Sequence, residues 1–440
     1  MKSLWQWVLV TRPLLSPEWV ARLKQFKKLI VGFSGGLDST VLLHVLASTP
    51  PLSNQLLAVH INHGISGNSL NWQRHCEQLC LDLGIAFIAK AIEFDRSANV
   101  EEAARNARYD FFSSLLEDND CLVLGHHLDD QAETVLLQLF RGAGVDGLAA
   151  MQECSNLGAG QLARPFLTCP RVELEHYARI HELKWIEDES NQDTKYSRNY
   201  LRHRVMPLLL EKWPGVAGNI SRAATHCQQA KANLEVLAIK DCPDLLNATD
   251  HLLIEPIKGL EFERITNVLK FWLKKNRIQL PSSKTFHRII HEIIFAKLDA
   301  MPTVSWDQIQ VRRFQQHLYL LKADQINLPK AIKWQQFPAS LTYPDANIEL
   351  SAVKAQKGLM IPKDAQIEIR FRKGGEEIYW HGQTKHLKKL FQEWQIPPWI
   401  RERVPLVYIN DQLACVVGYA VSDLFFTTNP LEAWSIVNNS

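Results

Sequence analysis

Val31-Gly32-Phe33-Ser34-Gly35-Gly36-Leu37-Asp38-Ser39-Thr40 joins one apolar run, 29–33, to another, 41–46. The first run is short and unbroken, as in a strand buried on both faces, and the second continues as a helix. The Ser-Gly-Gly turn between them lets backbone N–H groups converge on one point. The N-terminus of the following helix adds its partial positive charge there. Ser34, Gly35, Gly36, Leu37, Asp38 and Ser39 are therefore expected to cradle phosphate oxygens. The Gly-x-x-x-x-Gly-Lys-Ser/Thr spacing of a Walker A loop is absent.

A second strand-to-helix step follows the run 121–125: His126, His127, Leu128, Asp129, Asp130, Gln131, Ala132, Glu133, Thr134. Asp129 and Asp130 fall in the first helical turn, where carboxylates suit the macrodipole. Glu133, three residues beyond Asp130, shares its side of the helix. A His-His-x-Asp-Asp cluster could read as a transition-metal site. Two turns, one with phosphate-binding glycines and one with paired carboxylates, fit a nucleotide–Mg²⁺ site better. Hard cations there take one or two carboxylates plus phosphate oxygens, and Asp38 and Asp130 are the expected ligands.

Around these turns, strands are expected at 29–33, 56–61, 86–89 and 122–125, and helices at 39–47, 70–83, 101–116 and 129–141. Such alternation predicts an α/β fold with a doubly wound parallel sheet, whose ligands sit beyond the carboxyl ends of the strands. The strand end Val59, His60, Ile61, Asn62, His63, Gly64 points to the same crevice. Pro207 and Pro214-Gly215 punctuate the end of this domain. A mainly helical stretch, 217–320, follows, with Trp272 and Leu273 in its core and a strand pair near 311–321 carrying two exposed arginines, Arg312 and Arg313. Residues 322–350 read as a polar linker, and 351–440 as a small α+β domain. There, Arg370, Arg372, Lys373, Lys385, Lys388, Lys389, Arg401 and Arg403 mix with Trp394, Trp399 and Tyr408, a composition suited to RNA backbone and stacking contacts.

Bulk properties set the class. The 440 residues suit two to four domains, and 46% hydrophobic content is enough for packed cores. A net charge of +2 confines any RNA footprint to local patches. Eight cysteines without a Cys-x-x-Cys pair suit a reducing cytoplasm. The apolar patch 4–10 lacks the length and flanks of a signal peptide, and no apolar run approaches the roughly 20 residues of a membrane span.

The Ser34–Ser39 turn resembles the pyrophosphatase (PP) loop of the N-type ATP pyrophosphatases, of the adenine-nucleotide alpha hydrolase-like fold. With HHLDDQAET (126–134) and RGAGVDGL (141–148), the chain resembles the tRNA(Ile)-lysidine synthase family. Arg164-Pro165-Phe166, the set Trp185, Asp188, Ser190 and Asn191, and 197–202 resemble further family segments. So do RKGGEEI (372–378), LKKLFQEWQIPPWIRERVP (387–405) and 416–419. Phe166 in place of the commoner Leu is a mild departure.

The resemblance implies a ligase that uses ATP to join L-lysine to C2 of the wobble cytidine in tRNA(Ile) with a CAU anticodon. Adenylation at O2 of the cytosine precedes attack by the lysine ε-amine, and AMP and pyrophosphate leave. Reading changes from AUG to AUA and identity from Met to Ile. His60, Asn62 and His63 are then expected in the adenosine pocket. Asp129 or Asp130 is expected to take the amine proton. Arg105 and Arg108 share a helix face that could hold the α-phosphate or the lysine carboxylate. Residues 1–215 become the catalytic domain, and 217–320 and 351–440 become tRNA-binding domains. A tRNA thiolase, the nearest alternative, would want reactive or cluster-binding cysteines near the loop. An asparagine synthetase-type amidotransferase would want Cys at position 2, where Lys2 stands. A non-enzymatic RNA-binding protein would not need Asp38, Ser39, Asp129 and Asp130 intact.

Overall fold

The computed structural model describes residues 13–62, 64, 68–92, 100–248, 250–297, 300–322, 330–343 and 348–439. They divide into two compact units, the division falling after Leu234. Among the described residues no helix is long and apolar enough to cross a membrane.

The first unit is built on a six-stranded sheet. Its strands are β1 (Lys28–Gly32), β2 (Leu56–Asn62), β3 (Ala86–Ala91), β4 (Asp120–Val123), β5 (Cys154–Leu157) and β6 (Gly160–Ala163), in the order β3-β2-β1-β4-β6-β5. All neighbours are parallel except β5 against β6. Each of the first four strands is followed by a helix: α1 (Leu37–Ala47), α2 (Ser69–Asp82), α3 (Val100–Leu115) and α4 (Leu128–Phe140). The expected doubly wound α/β domain is therefore present, with its strand order reversing between β1 and β4.

Side chains along β1 alternate between two buried layers: Leu29 and Val31 join one core, Ile30 the other. This is why β1 reads as a continuous apolar run. Gly32 closes the strand because a β-carbon there would fall 2.5 Å from Leu124 Cδ2. The β5–β6 hairpin was not expected. Its four-residue strands, CSNL and GQLA, lack an alternating pattern, and Gly158 turns between them at φ +57°.

The second unit holds helix α5 (Phe262–Lys275) and helix α6 (Ser283–Arg288), which runs into a π-helical segment, Ile289–Ile294. They pack on a sheet of β7 (His251–Leu253), β8 (Thr303–Trp306), β9 (Ile309–Phe314) and β10 (His317–Lys322), in the order β7-β10-β9-β8. Trp272 and Leu273 are in its core as expected. The expected strand pair is half of this larger sheet. One expectation fails: neither arginine is exposed, Arg312 being half-buried and Arg313 fully buried. Arg313 Nη1 donates to the carbonyls of Ile293, Ile294 and Ala296 at 2.9–3.1 Å, and its Nε to Gln315 O at 2.9 Å. It caps the carbonyl end of the π-helical segment, where a cation suits the dipole.

The expected linker 322–350 also needs correction. It contains β11 (Ile332–Lys333), β12 (Leu341–Tyr343) and the start of β13 (Ile348–Met360). Trp334, Tyr343, Ile348 and Leu350 are buried in the C-terminal core, so these residues belong to that domain. There β11 pairs with β14 (Ile367–Arg370), which continues to β17 (Leu406–Ile409), β18 (Gln412–Val416) and β19 (Ala420–Val421). The hairpin of β15 (Glu377–Trp380) and β16 (Gln383–His386) leads into helix α7 (Leu387–Glu393).

Candidate active site

A cavity of about 410 Å³ opens at the carboxyl ends of β1, β2 and β4. Ser34, Gly36, Asp38, Ser39, His60, Asn62, Arg108 and Asp130 line it, all expected from sequence. Trp72 and Ser69 of α2, Phe112 of α3, His126 and Asp188 also line it and were not assigned there. His63 lies outside the described residues.

The first turn is held by its own side chains. Ser39 Oγ donates to Gly36 O at 3.1 Å, accepts from the Ser34 N–H at 3.2 Å, and lies 3.1 Å from Ser34 Oγ. Thr40 Oγ1 donates to Gly35 O at 3.3 Å. Gly35 adopts φ +83°, and a β-carbon there would meet Ile186 Cδ1 at 2.7 Å and Cys76 Sγ at 2.8 Å. Only glycine fits this position. Ile186 N–H donates to Gly35 O at 2.8 Å, so the Trp185–Asp188 segment packs against the turn and brings Asp188 to the cavity. Leu37 is buried in the core instead of facing the cavity.

His60 Nδ1 bonds Phe33 O at 3.0 Å, and burial lowers its pKa despite that bond. His60 is thus a neutral side chain tying β2 to the root of the first turn. Val59, Ile61, Phe112 and Leu124 supply apolar walls beside it.

The second turn carries the charge. His127 precedes α4, and its main-chain N–H donates to Asp130 Oδ2 at 3.2 Å. Its ring is fully buried among three carboxylates: Nε2 lies 3.6 Å from Asp38 Oδ2 and 3.4 Å from Asp130 Oδ2, and Nδ1 lies 3.6 Å from Asp129 Oδ2. Burial opposes protonation, but the nearby carboxylates of Asp129, Asp38 and Asp130 push His127 up to about 10. The Asp130 N–H approaches the same Nδ1 at 3.4 Å, at the long end of hydrogen-bond range. His126 behaves oppositely. Burial pushes it down to about 3, and Arg164 Nε donates to its Nδ1 at 3.2 Å.

The two adjacent aspartates part company. Asp130 lines the cavity, while Asp129 does not; its Oδ2 accepts the Arg171 N–H at 2.9 Å, at the start of the helix Arg171–Ile180. Burial would raise Asp130, yet His127, His126, Arg198 and Arg202 hold its carboxyl below the usual range. Arg202 donates through Nη2 to Asp130 Oδ1 at 3.0 Å and forks onto buried Glu133 at 2.7 and 3.0 Å. Arg198 Nε lies 3.2 Å from Glu133 Oε2, and its Nη2 donates to Thr134 Oγ1 at 2.8 Å. Sequence flagged Arg198 and Arg202 only as a family-like segment; their partners lie about 70 residues away, beyond any local pattern.

The two expected arginines also separate. Arg108 lines the cavity, where burial and the charges of Arg105 and Arg198 lower its pKa against the opposing effect of Tyr109. A cation so crowded favours an anionic ligand. Arg105 is exposed and stacks on Tyr109, 5.4 Å from its ring centre.

Both histidines of the pair are engaged, His126 by Arg164 and His127 by the three aspartates, and among the described residues no three His, Cys, Asp or Glu side chains are grouped to hold a metal. A Mg²⁺ shared with phosphates asks less. Asp38 Oδ1 is buried without a hydrogen-bond partner, and Asp38 and Asp130 flank the same imidazole nitrogen. The residues fit a hard cation. No cysteine lines the cavity, and Cys76, behind Gly35, is pushed up to about 12 by burial.

In the C-terminal domain several arginines are committed internally. Arg370 pairs with Glu368 and Asp411 and lies 4.4 Å from the Tyr408 ring centre. Arg372 pairs with Glu376 at 3.8 Å, and Arg401 Nε donates to Ile396 O at 2.7 Å. Lys388 and Lys389 are exposed on α7, whose Leu387, Leu390 and Phe391 are buried.

Comparison with known proteins agrees with this layout. A PP-loop domain matches residues 12–209, a TilS substrate binding domain 252–319, and a TilS substrate C-terminal domain 367–438. The chain is 99% identical over 433 residues to the tRNA(Ile)-lysidine synthase of Legionella pneumophila subsp. pneumophila (strain Philadelphia 1), covering 98% of this chain and 100% of the relative. It is 39% identical over 447 residues to that of Coxiella burnetii, covering 99% of each. For Serratia proteamaculans the identity is 37% over 429 residues, covering 96% and 98%.

Proposed function

The chain belongs to the tRNA(Ile)-lysidine synthase family, and from that premise we propose how its residues divide the work. The reaction joins L-lysine to C2 of the wobble cytidine of tRNA(Ile) with a CAU anticodon. ATP adenylates the base, and AMP and pyrophosphate are released. A thiolase reading is not favoured.

Ser34, Gly36 and Ser39 hold the departing pyrophosphate with N–H and hydroxyl donors, and the α1 N-terminus adds its dipole. The apolar walls beside His60 and Asn62 hold the adenosine, with His60 fixed by Phe33 O. Arg108 holds the α-phosphate as the cytosine O2 attacks and the bond to pyrophosphate breaks. Asp38 and Asp130 would hold Mg²⁺, which when bound neutralises charge on the triphosphate.

In the second half-reaction the lysine amine attacks C2 and AMP leaves. Free lysine has a pKa near 10.4, so the amine that attacks has already given one proton to solvent. Asp130 takes the proton from the cationic adduct, which is acidic enough for a carboxylate of low pKa. Asp129 orients the start of α4 through Arg171. Arg202 and Glu133 keep Asp130 aimed into the cavity.

The tRNA-gripping parts are read as 217–320, of which 235–320 lie in the second unit, and the C-terminal domain, starting at the β11 strand. The place of action is the cytoplasm, which keeps the eight free cysteines reduced.

The observation that carries this reading is the meeting of both turns in one cavity, Asp38 from the first and Asp130 from the second, across a single imidazole. The deciding experiment is pyrophosphate and AMP release from ATP by the full chain. Sustained turnover should require both tRNA and lysine. Sustained release without lysine would sink the assignment of Asp130 to the second step.

A further inference from the structure

The second unit contains separate hydrophobic cores, one from residues 238–320 and two from 334–436. Trp399, on the short helix Pro398–Arg401, reaches from the C-terminal domain to the sheet of the other. Its indole meets Tyr319 edge-on at 5.5 Å and 72°, and Phe314 at 6.1 Å and 80°. The Arg312 guanidinium stands 5.3 Å from its ring centre. Gln310 Oε1 accepts from Arg312 Nε at 3.1 Å and Nη2 at 2.7 Å, holding the guanidinium in place. Tyr319 is in turn stacked on His251 at 5.9 Å. The indole Nε1 is buried and has no hydrogen-bond partner. Trp399 is therefore held by its ring faces and edges, the geometry aromatic and cation–π pairs prefer, and not by its N–H.

We propose that Trp399 is a positioning residue for tRNA: it keys the C-terminal domain onto the β9–β10 surface so that both domains present one fixed surface to the substrate. This rests on the reading that both domains bind tRNA. Two sites that grip one rigid ligand reinforce each other only when their spacing matches it. Freeing the key lowers the effective concentration of the second site, which weakens tRNA capture without touching the reacting atoms.

The test uses the full chain with a tRNA(Ile) transcript carrying CAU. Trp399→Ala should raise the KM for tRNA about tenfold, leave kcat at saturating tRNA within about twofold, and leave the KM values for ATP and lysine unchanged. Trp399→Phe should behave almost as wild type, because the N–H is unused. Arg312→Gln should give a smaller rise, and combining it with Trp399→Ala should add nothing. Spin labels at positions 297 and 364 should give one narrow distance without tRNA, broadened by Trp399→Ala. A narrow distance in that variant, an unchanged tRNA KM, a parallel loss of kcat, or a Phe variant as impaired as Ala would each overturn the proposal. If Trp399→Ala does not fold, Arg312→Gln carries the same KM-against-kcat test. Failure of the underlying reading looks different: removal of the whole C-terminal domain, from β11 at residue 332 onward, would then leave tRNA affinity intact.

Discussion

Gly125, at the end of β4, lies against the main chain of Asp38: a β-carbon on Gly125 would fall 2.8 Å from the Asp38 carbonyl oxygen and 3.3 Å from the Ser39 nitrogen. The phosphate turn and the carboxylate turn are thus in backbone contact, and their spacing is set by a missing side chain. Gly125→Ala must push them apart by several tenths of an ångström. The strain should cost about 1–3 kcal/mol, read as a lower Tm. Misplacement on this scale should reduce adenylation by up to about 100-fold, read as AMP release. A stable, fully active alanine variant would show that the turns need not touch.

Asp129 and Asp130 are neighbours in sequence with different partners, which separates their variants. Asp130→Asn removes the charge that faces Arg202 and the cavity, and should lower adenylation by about 100-fold or more. Asp129→Ala removes the acceptor for Arg171 N–H, a helix cap worth about 1 kcal/mol. It should lower Tm while keeping most adenylation. Trapped adenylated tRNA, measured for both variants at equal folded concentration, decides the matter; equal losses would erase the distinction.

Motif chemistry was readable wherever one segment supplies it. Ser34–Ser39 and His126–Glu133 each carry strand, turn and helix start in about ten residues, so their placement at strand ends followed from pattern alone. What sequence could not supply was pairing at a distance. Arg202 finds Glu133 and Asp130 through the fold, and Asp129 finds a helix start 42 residues away. Arg313 looked like an exposed strand arginine because nothing local marks the carbonyls of residues 293–296 as its partners. The β5–β6 hairpin and β11–β12 are too short to show periodicity, and their core residues, such as Trp334, are spaced like a polar loop.

Burial pushes the thiols of Cys76, Cys80, Cys121 and Cys415 from an ordinary 9.0 up to about 12. In the unfolded chain these thiols ionise above about 9; in the folded chain they stay protonated to about 12. Their contribution to stability is complete below pH 9 and is lost as pH rises from 9 toward 12. Tm should therefore fall across that window, and less steeply in Cys415→Ala. Iodoacetamide at pH 8 should leave all four thiols unmodified until denaturant is added. Rapid native-state labelling of Cys76 would show that the packing behind Gly35 is open.

Lys388 and Lys389 stand exposed on α7 while Leu387, Leu390 and Phe391 anchor the helix in its core. The neighbouring arginines are spent within the domain: Arg370 on Glu368 and Asp411, Arg372 on Glu376, Arg401 on a carbonyl. The lysines can therefore be reversed without unpairing a buried charge. Each tRNA phosphate that a lysine ceases to neutralise should lower the slope of log affinity against log salt by roughly 0.7–0.9. Lys388→Glu with Lys389→Glu should then weaken tRNA binding, reduce the slope by about 1.4–1.8 if both lysines touch phosphate, and leave Tm nearly unchanged. Weaker binding with an unaltered slope would mean that the reversal acts on protein structure. Unaltered binding would place the tRNA backbone elsewhere on this domain.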